Sequence, residues 1–203
     1  ALRVGRILAA LVPDEPEATA LVALMEFQAS RFAARVAPDG SAVLLEDQDR
    51  RRWDRSQITR GRDRLARADA LAHDRGAYAL QAAIAQEHAL AASVEQTDWS
   101  AIVGLYDSLL LLTGSPVVGL NRAVALAMTG DVDAALAAVD AIAHSAGSGA
   151  SPLVSSVRGE LLQRVGRYDE ARAALEEAAA AMANERQRAV LLAKAARIPW
   201  GHG

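Results

Sequence analysis

Apolar residues recur at helical spacing along almost the whole chain, and proline, glycine and small polar residues separate one run from the next. The first run predicts a short helix over 2–11. The second run follows "PDEP", where Asp14 is the expected N-cap and Pro16 occupies the first helical turn. In this second helix Leu21, Leu24, Met25, Phe27 or Gln28, and Phe32 fall at roughly helical spacing.

A turn and a short extended piece separate the second helix from the third. The residues of "APDGS" suit a turn, and "AVLL" after them is typical of extended chain. Asp49 is the expected N-cap of a third helix over about 50–73. The inward side of that helix is predicted to carry Trp53, Ile58, Leu65, Ala68 and either Leu71 or Ala72.

Seven further helices are predicted after Gly76, the second of them capped by Thr97, and two of the seven share their boundary signals. Ser-Pro begins one helix at 115–116 and another at 151–152, and a glycine at 130 and at 166 ends the same two helices. At this offset further residues coincide: Val118 with Val154, Arg122 with Arg158, Leu126 with Leu162, Asp133 with Asp169, and Ala135 with Ala171. A self-match of this period predicts a helix-turn-helix repeat.

The string "GRYDEARAALEEAAAA" resembles the second half of a tetratricopeptide repeat, in which Ala135 and Ala171 would be the small residues that let paired helices approach. The predicted fold is all-α: a solenoid of helical hairpins preceded by an N-terminal helical subdomain over 1–75. The repeat region, 76–203, would hold copies at about 77–114, 115–150 and 151–183, a closing helix over 184–197, and a flexible loop at 146–151. Alanine-rich helices can also match each other by chance, but the glycines and Ser-Pro pairs match in register.

Composition and charge narrow the class of protein. The hydrophobic fraction of 52% with only 4% aromatic residues reflects abundant alanine, which favours helices. A net charge of −3 argues against a dominant nucleic-acid-binding surface. The chain has no cysteine, so it forms no disulfide and offers no thiolate, as is common in the cytoplasm. No apolar run reaches the roughly 18 residues of a membrane span. The string "LRVGRILAALVP" lacks a signal-peptide cleavage site. The abrupt start of the helical pattern suggests that the chain is part of a longer one.

One short stretch, Glu46–Arg55, is unusually charged, with four acids, four arginines and a tryptophan. Acids suit a helix N-terminus, but arginines in a first turn oppose the helix dipole and need acidic partners. The spacing predicts pairs of Arg50 with Asp54 and of Arg51 with Asp47. Because exposed pairs stabilise a helix only weakly, a dense cluster beside Trp53 predicts a partly buried network or a contact surface.

The composition of this stretch also fits other kinds of site. Asp47 and Asp49 could begin a calcium loop, but no third acid or glycine stands at the required spacing. The arginines could bind phosphate, but the interleaved acids cancel their positive field. A plain solvated helix start with Trp53 packed beneath it stays open as an alternative.

A second feature is a polar strip of Tyr78, Gln81 and His88 on the leading helix of the first repeat copy. Leading helices line the concave surface of tetratricopeptide arrays, so the strip would face a groove. Alternatively, neighbouring backbone satisfies the glutamine and the histidine. No serine or cysteine nucleophile accompanies His88, and the four histidines at 73, 88, 144 and 202 lack metal-ligand spacing, so no catalytic, cofactor-binding or metal residues are predicted.

The two features together suggest that the Asp47–Asp54 segment docks near the Tyr78–His88 face and fixes the N-terminal helices on the repeats. Asn121, Arg122 and Arg158 on later leading helices extend the candidate surface. The residues predicted to serve protein interaction or interdomain docking are Asp47, Gln48, Asp49, Arg50, Trp53, Asp54, Tyr78, Gln81, His88, Asn121, Arg122 and Arg158.

The strings "LLEDQDRRRWD", "GAYALQAAIAQEHA", "DWSAIVGLYDSLL" and "SPVVGLNRAVALA" resemble the C-terminal half of a group of bacterial extracytoplasmic-function sigma factors that carry a tetratricopeptide extension. The resemblance covers essentially the whole chain. It implies a cytoplasmic regulatory extension that acts in transcription initiation, with the sigma domains of the same polypeptide, RNA polymerase or another regulatory protein as partners. It implies no direct nucleic-acid contact by this chain, no membrane partner and no cofactor.

Two other classes of function remain open at the level of sequence. A free-standing tetratricopeptide adaptor unrelated to transcription would show the same helical pattern, since a repeat groove binds peptides or helices in many settings. An enzyme that uses Glu87 and His88 as acid and base is the remaining option, but no nucleophile, cofactor loop or metal set accompanies them. The sequence therefore favours a binding protein and not an enzyme.

Overall fold

A computed structural model describes residues 1–147 and 151–199. These residues form ten α-helices and no β-strand, which confirms the all-α prediction. Residues 148–150 of the predicted loop at 146–151, and His202, lie outside the described residues. The helices are α1 (Leu2–Leu11), α2 (Pro16–Ser30), α3 (Arg55–Leu71), α4 (Ala77–Leu90), α5 (Trp99–Thr113), α6 (Pro116–Met128), α7 (Val132–Ala146), α8 (Pro152–Arg164), α9 (Tyr168–Ala180) and α10 (Glu185–Arg197).

The chain divides into two compact units, Ala1–Thr113 and Gly114–Gly203. The sequence pattern places the division at 75/76 instead, between the N-terminal helices and the first repeat copy. The structure groups α4 with the N-terminal helices because α4 packs against α2 and α3 as well as against α5. The hairpin of α4 and α5 therefore belongs to the first unit.

Helix α2 is the centre of the first unit, because α1, α3 and α4 all pack against it. Small residues and Phe27 fill these contacts, and Gly61 of α3 lies directly against the Phe27 ring, where a Cβ would come within 2.9 Å of Cε1. The prediction that α2 continues through Phe32 is wrong. Helix α2 ends at Ser30, a 3₁₀ turn over Phe32–Ala34 follows, and this turn leaves Phe32 63% exposed.

A buried carboxylate joins three helices of the first unit. Glu26 of α2 is fully buried and accepts hydrogen bonds from Arg6 of α1, at 2.9 Å from Nε and 2.6 Å from Nη2. Arg60 of α3 lies on its other oxygen, with Nε 3.5 Å from Oε2. A buried charge needs such partners, so this cluster fixes α1 and α3 on α2.

The third helix begins later than the sequence pattern predicts. Asp49 caps only a 3₁₀ turn over Arg50–Arg52, by accepting from Arg51 N at 3.0 Å. Trp53 is then extended, and Asp54 is the true N-cap of α3, since its Oδ1 accepts from the backbone N–H groups of Ser56 and Gln57 at 2.9 and 3.1 Å. The extended residue Trp53 thus separates the 3₁₀ turn from the N-cap of α3, where the sequence pattern predicts one continuous helix.

Two other predicted caps are also wrong. Glu15, not Asp14, caps α2 by accepting from Glu17 N at 3.3 Å. At the start of α5, Asp98 accepts from Ala101 N at 2.9 Å. Thr97, the expected cap there, is buried and takes part in a long-range contact described below.

The N-terminus of α4 has no side-chain cap of its own, because its N-cap is Gly76. Glu17 of α2 provides the missing acceptor from 61 and 62 residues away: its carboxylate accepts from Tyr78 N at 2.8 Å and from Ala79 N at 3.0 Å. An acid at a helix N-terminus also suits the helix dipole. A Cβ on Gly76 would clash with the Glu17 carboxyl group, so the glycine makes room for this cap.

The second unit consists of the hairpins α6–α7 and α8–α9 followed by α10. Helix α8 packs against both α7 and α6, and α10 packs against α9, which is the neighbour pattern of stacked helical hairpins. Ala135 and Ala171 are both fully buried between helices, as predicted. Gly130 and Gly166 follow α6 and α8 with positive φ angles of 101° and 75°, which confirms their predicted role as helix ends.

Candidate interaction site around Trp53

Trp53 is 3% exposed and belongs to an apolar cluster that also contains Phe27, Ile58 and Leu65. Two guanidinium groups lie over its ring: the Cζ atoms of Arg50 and Arg31 are 5.3 and 5.8 Å from the ring centroid. Cation–π contacts of this kind are stronger where water is excluded. The indole Nε1–H is buried and has no hydrogen-bond acceptor among the described residues.

Arg50 joins the charged segment to the C-terminus of α4. Its side chain is buried, and Nη1 donates to the carbonyl oxygens of His88 and Ala91, both at 2.9 Å. Its Nη2 donates to Thr97 Oγ1 at 3.1 Å. The last carbonyls of a helix have no partner within the helix and carry the negative end of its dipole, so a cation is favoured there. The segment thus docks on the end of α4 through one arginine.

The ion pairs predicted within the segment differ from those found. Arg50 bonds to carbonyl oxygens and not to Asp54, which is occupied as the cap of α3. Arg51 pairs with Asp49 at 2.9 and 3.0 Å, not with Asp47, and this pair is exposed. A pair so accessible to water contributes little to stability. Arg50 therefore bonds this segment to the C-terminal end of α4, while Trp53 packs it into the apolar cluster.

Gln48 and Asp47 have different surroundings. Gln48 is buried, and its Nε2 donates to Val43 O at 3.1 Å, while its Oε1 has no donor among the described residues. Asp47 is exposed at the end of the 3₁₀ turn Leu45–Asp47. A cleft of about 300 Å³ opens beside this segment, lined by Glu46 and Gln48–Arg51 on one side and 92–95 on the other.

The polar strip predicted on α4 does not form a common surface. Tyr78 is 43% exposed, and the exposed Gln81 donates to Ala77 O of its own helix at 3.2 Å. His88 instead lies mostly buried at the other end of α4, with its ring edge-on to Trp99 at 5.3 Å between centroids. The carbonyl of His88 contacts the docked segment through Arg50, whereas Tyr78 and Gln81 face solvent.

His88 is held neutral by its surroundings. Burial, and then the positive charges of Arg50 and Arg31, lower the pKa of His88 from 6.5 to about 4. Its Nδ1 is buried and has no hydrogen-bond partner among the described residues. Protonation of His88 therefore opposes the folded state.

We expect the unfolding free energy of the first unit to fall by about 2 kcal/mol between pH 7 and pH 5 because of His88. The folded pKa lies below the unfolded value, so the unfolded chain binds more protons, and stability is lost as pH falls from about 6.5 toward 4. Urea denaturation at several pH values, followed by far-UV circular dichroism, measures this slope.

His88→Asn is the matched variant for this measurement. Burial and the charge of Asp98 raise the pKa of the neighbouring Glu87. This raised pKa makes the folded state more stable as the pH falls, which is the opposite of the effect of His88, and Glu87 is present in both proteins. The difference between the two pH profiles therefore isolates the histidine. An equal slope in the variant and the parent protein would contradict a buried, neutral His88.

Two residues of this site were not predicted from the sequence. Arg31 and Arg35 stand just after α2, and both donate from Nη2 to Gln28 Oε1, Arg35 at 2.6 Å. Burial, with Arg35 and Arg50 as further causes, lowers the pKa of Arg31 to about 10. The available signal was a pair of arginines four residues apart with no acid between 27 and 38.

The remaining predicted residues lie in the second unit. Asn121 of α6 is exposed and Arg122 is partly buried. Arg158 of α8 donates from Nε to Asp140 Oδ1 of α7 at 2.8 Å, so it joins consecutive hairpins. Arg158 thus has a structural partner, while Asn121 remains available to solvent.

Neither a metal site nor a membrane helix is found in the described residues. No group of three or more histidine, aspartate and glutamate side chains in 1–147 and 151–199 is arranged to hold a metal ion. Within the same ranges, every helix is too short or too polar to cross a membrane.

The chain is similar to known families and to one further protein. Residues 1–69 match a family of unknown function (DUF6596), and residues 113–198 match a tetratricopeptide repeat-like domain. An uncharacterized protein of Rhizobium meliloti (strain 1021) is 46% identical over 193 residues, which are 94% of this chain. The chain spans only 44% of that relative's length. No solved structure matches.

The match at 113–198 shows that a tetratricopeptide-like domain is present. It covers the second and third predicted repeat copies and the closing helix, and it begins at the boundary between the two compact units. Domains of this kind present helical surfaces to other polypeptides, so a role in protein interaction follows at this general level.

Proposed function

We propose that this chain is a regulatory protein-interaction domain of a sigma factor, which controls transcription initiation through the sigma domains, RNA polymerase or another protein. The observation that carries the proposal is the pairing of a tetratricopeptide-like domain with the docked segment around Trp53. That segment lies within "LLEDQDRRRWD", one of the strings that resemble the sigma-factor extensions.

Two further observations support this proposal. The chain spans 44% of its Rhizobium relative, so a protein of that length has room for promoter-binding domains beside this one. The net charge of −3 suits a domain that binds protein and leaves DNA contacts to other domains. A domain with this role would act in the cytoplasm, where transcription takes place.

The proposed role is binding, without a catalytic step and without a cofactor. Glu87 and His88 were the candidate acid and base, but the imidazole Nδ1 is buried and burial lowers the pKa of His88 to about 4. A general base for neutral pH needs a pKa nearer 7 and access to its substrate. These properties suit a residue that packs against Trp99 at the end of α4 and not one that transfers protons.

The test compares the full-length protein with a form that lacks this chain. Both are co-purified with core RNA polymerase and assayed for promoter-dependent transcription in vitro. We expect the truncation to change transcription or polymerase binding by about ten-fold, the size of an ordinary regulatory coupling. Equal transcription and equal polymerase binding would contradict the proposal and favour a free-standing adaptor that uses the same repeats for an unrelated protein.

A further inference from the structure

A basic and aromatic surface lies beside the Trp53 cluster, formed by Arg31, Arg35 and Phe32. We call these three residues the arginine–phenylalanine patch. Arg31 and Arg35 are partly buried, and Phe32 between them is largely exposed. The Arg35 Cζ lies 5.5 Å from the centre of the Phe32 ring.

The two arginines of the patch lack a carboxylate partner among the described residues. Both guanidinium groups donate to the single amide oxygen of Gln28. Elsewhere in the first unit, Arg6, Arg51 and Arg75 each pair with an acid at 2.6 to 2.9 Å. The unit therefore provides acids for arginines in several places, but not in this patch.

This arrangement is electrostatically unfavourable in the isolated chain. Arg31, Arg35 and Arg50 lie close enough that the charges of the last two lower the pKa of Arg31. Partly buried charges without a counter-charge are costly, and a neutral amide oxygen compensates two of them poorly. A carboxylate placed between the two guanidiniums would remove this repulsion and add charge-assisted hydrogen bonds.

Phe32 indicates that the missing acid belongs to a protein. An exposed phenylalanine beside two arginines has the composition of an interaction hot spot, where an apolar anchor is surrounded by directional polar contacts. Val36, which follows Arg35, is also exposed and extends the apolar part. A free anion would use the arginines alone, whereas a peptide uses both the charges and the ring.

We propose that the arginine–phenylalanine patch is a docking surface for an acidic segment of a protein partner, with carboxylates on Arg31 and Arg35 and an apolar side chain against Phe32. This inference rests on the proposed interaction function and names the chemistry of its partner. A nucleic acid is the poorer fit, because it carries a phosphate at every nucleotide and would bring negative charge against the acids at 46, 47 and 49 of the neighbouring segment, whereas a protein segment can confine its carboxylates to the two arginines.

The first experiment uses a fluorescein-labelled dodecapeptide of glutamate and aspartate with one central phenylalanine. Fluorescence anisotropy measures its binding to the parent chain and to Arg35→Gln. Arg62→Gln is the matched control, because Arg62 is an exposed arginine on α3 of the same unit. We expect Arg35→Gln to bind the peptide about ten-fold more weakly and Arg62→Gln to bind it like the parent chain.

A second readout separates docking from a structural role. Because Arg35 repels Arg31, its replacement by glutamine is expected to leave the melting temperature unchanged or raise it while binding is lost. Phe32→Ser should weaken binding in the same way without lowering the melting temperature, since the ring is exposed. A lower melting temperature in both variants would assign the patch to folding and overturn the proposal.

Three further outcomes would also overturn it. The labelled peptide could fail to bind the parent chain, it could bind Arg35→Gln equally well, or inorganic phosphate could bind at the arginines in its place. The failures of the two proposals are distinguishable. If truncation of the full-length protein alters transcription but the acidic peptide does not bind, only the patch inference fails. If the peptide binds through the patch but truncation changes nothing, the role in transcription fails and the docking surface stands.

Discussion

Trp53→Ala is expected to lower the unfolding free energy of the first unit by about 3–5 kcal/mol. The indole is buried in the apolar cluster of the unit, and its removal leaves a large cavity beside Phe27 and Ile58. It also removes the ring on which two guanidiniums lie, so Arg31 and Arg50 lose a favourable contact. Urea denaturation monitored by far-UV circular dichroism gives the free energy, since the substitution alters the fluorescence signal itself.

Leu111→Ala is the matched control for this substitution. Leu111 is a large apolar residue of the same unit, but it is 89% exposed, so its truncation should change stability by less than about 0.5 kcal/mol. Trp53→Phe should retain most of the stability, because it keeps an aromatic ring and the lost Nε1–H has no acceptor among the described residues. A loss below about 1 kcal/mol for Trp53→Ala would mean that the segment is not docked in solution.

The helices were predictable because their signals are local. Ser-Pro at 115–116 and 151–152, and glycines with positive φ at 130 and 166, bound the helices of the second unit where the sequence places them. The self-match of these two copies also predicted the small residues at 135 and 171 that are fully buried between helices. Each of these features depends on neighbours within one repeat, so a single sequence contains the information.

The caps were less predictable, because several acids compete for the same role. Asp49 and Asp54 both precede residues that can form a helix, and only the extended conformation at Trp53 assigns one to a 3₁₀ turn and the other to α3. That conformation accompanies burial of the indole among residues distant in sequence, which a local pattern does not reveal. Glu17 is a similar case: the helix that it caps begins about 60 residues later in the chain.

The sequence indicated the charged segment around Trp53, but not the contacts that the segment makes. The charge density around Trp53 indicated a network, and the structure shows that Arg50 joins elements 38 to 47 residues apart. Its partners are mainly carbonyl oxygens, which every residue possesses, so no side-chain pattern reveals them. The sequence pattern did not indicate Arg31 and Arg35. Their distinguishing feature is the lack of a carboxylate partner among the described residues, which becomes visible only in the folded structure.

Arg50→Met is expected to cost about 2–4 kcal/mol, although methionine keeps much of the apolar stem. The carbonyl oxygens of His88 and Ala91 lose their donor at the end of α4, and Thr97 loses a hydrogen bond. Arg50→Lys should recover less than half of this, since one ammonium group cannot reproduce the geometry of a planar guanidinium that bonds in two directions. Chemical denaturation of the parent chain, Arg50→Lys and Arg50→Met at pH 7 measures their unfolding free energies, which should decrease in that order.

The pH dependence gives Arg50→Met a second, specific signature. The charge of Arg50 is one cause of the lowered pKa of His88, so its removal moves that pKa back toward 6.5. The loss of stability between pH 7 and pH 5 should then be smaller than in the parent protein, even though the variant is less stable at pH 7. A Thr97→Val variant, alone and combined with Arg50→Met, completes a double-mutant cycle. Because Arg50 donates a hydrogen bond to Thr97, we expect the effects of the two substitutions on the unfolding free energy to differ from additivity by at least about 0.5 kcal/mol. Additive costs together with an unchanged pH slope would place Arg50 in solvent and remove the basis for docking of the segment on α4.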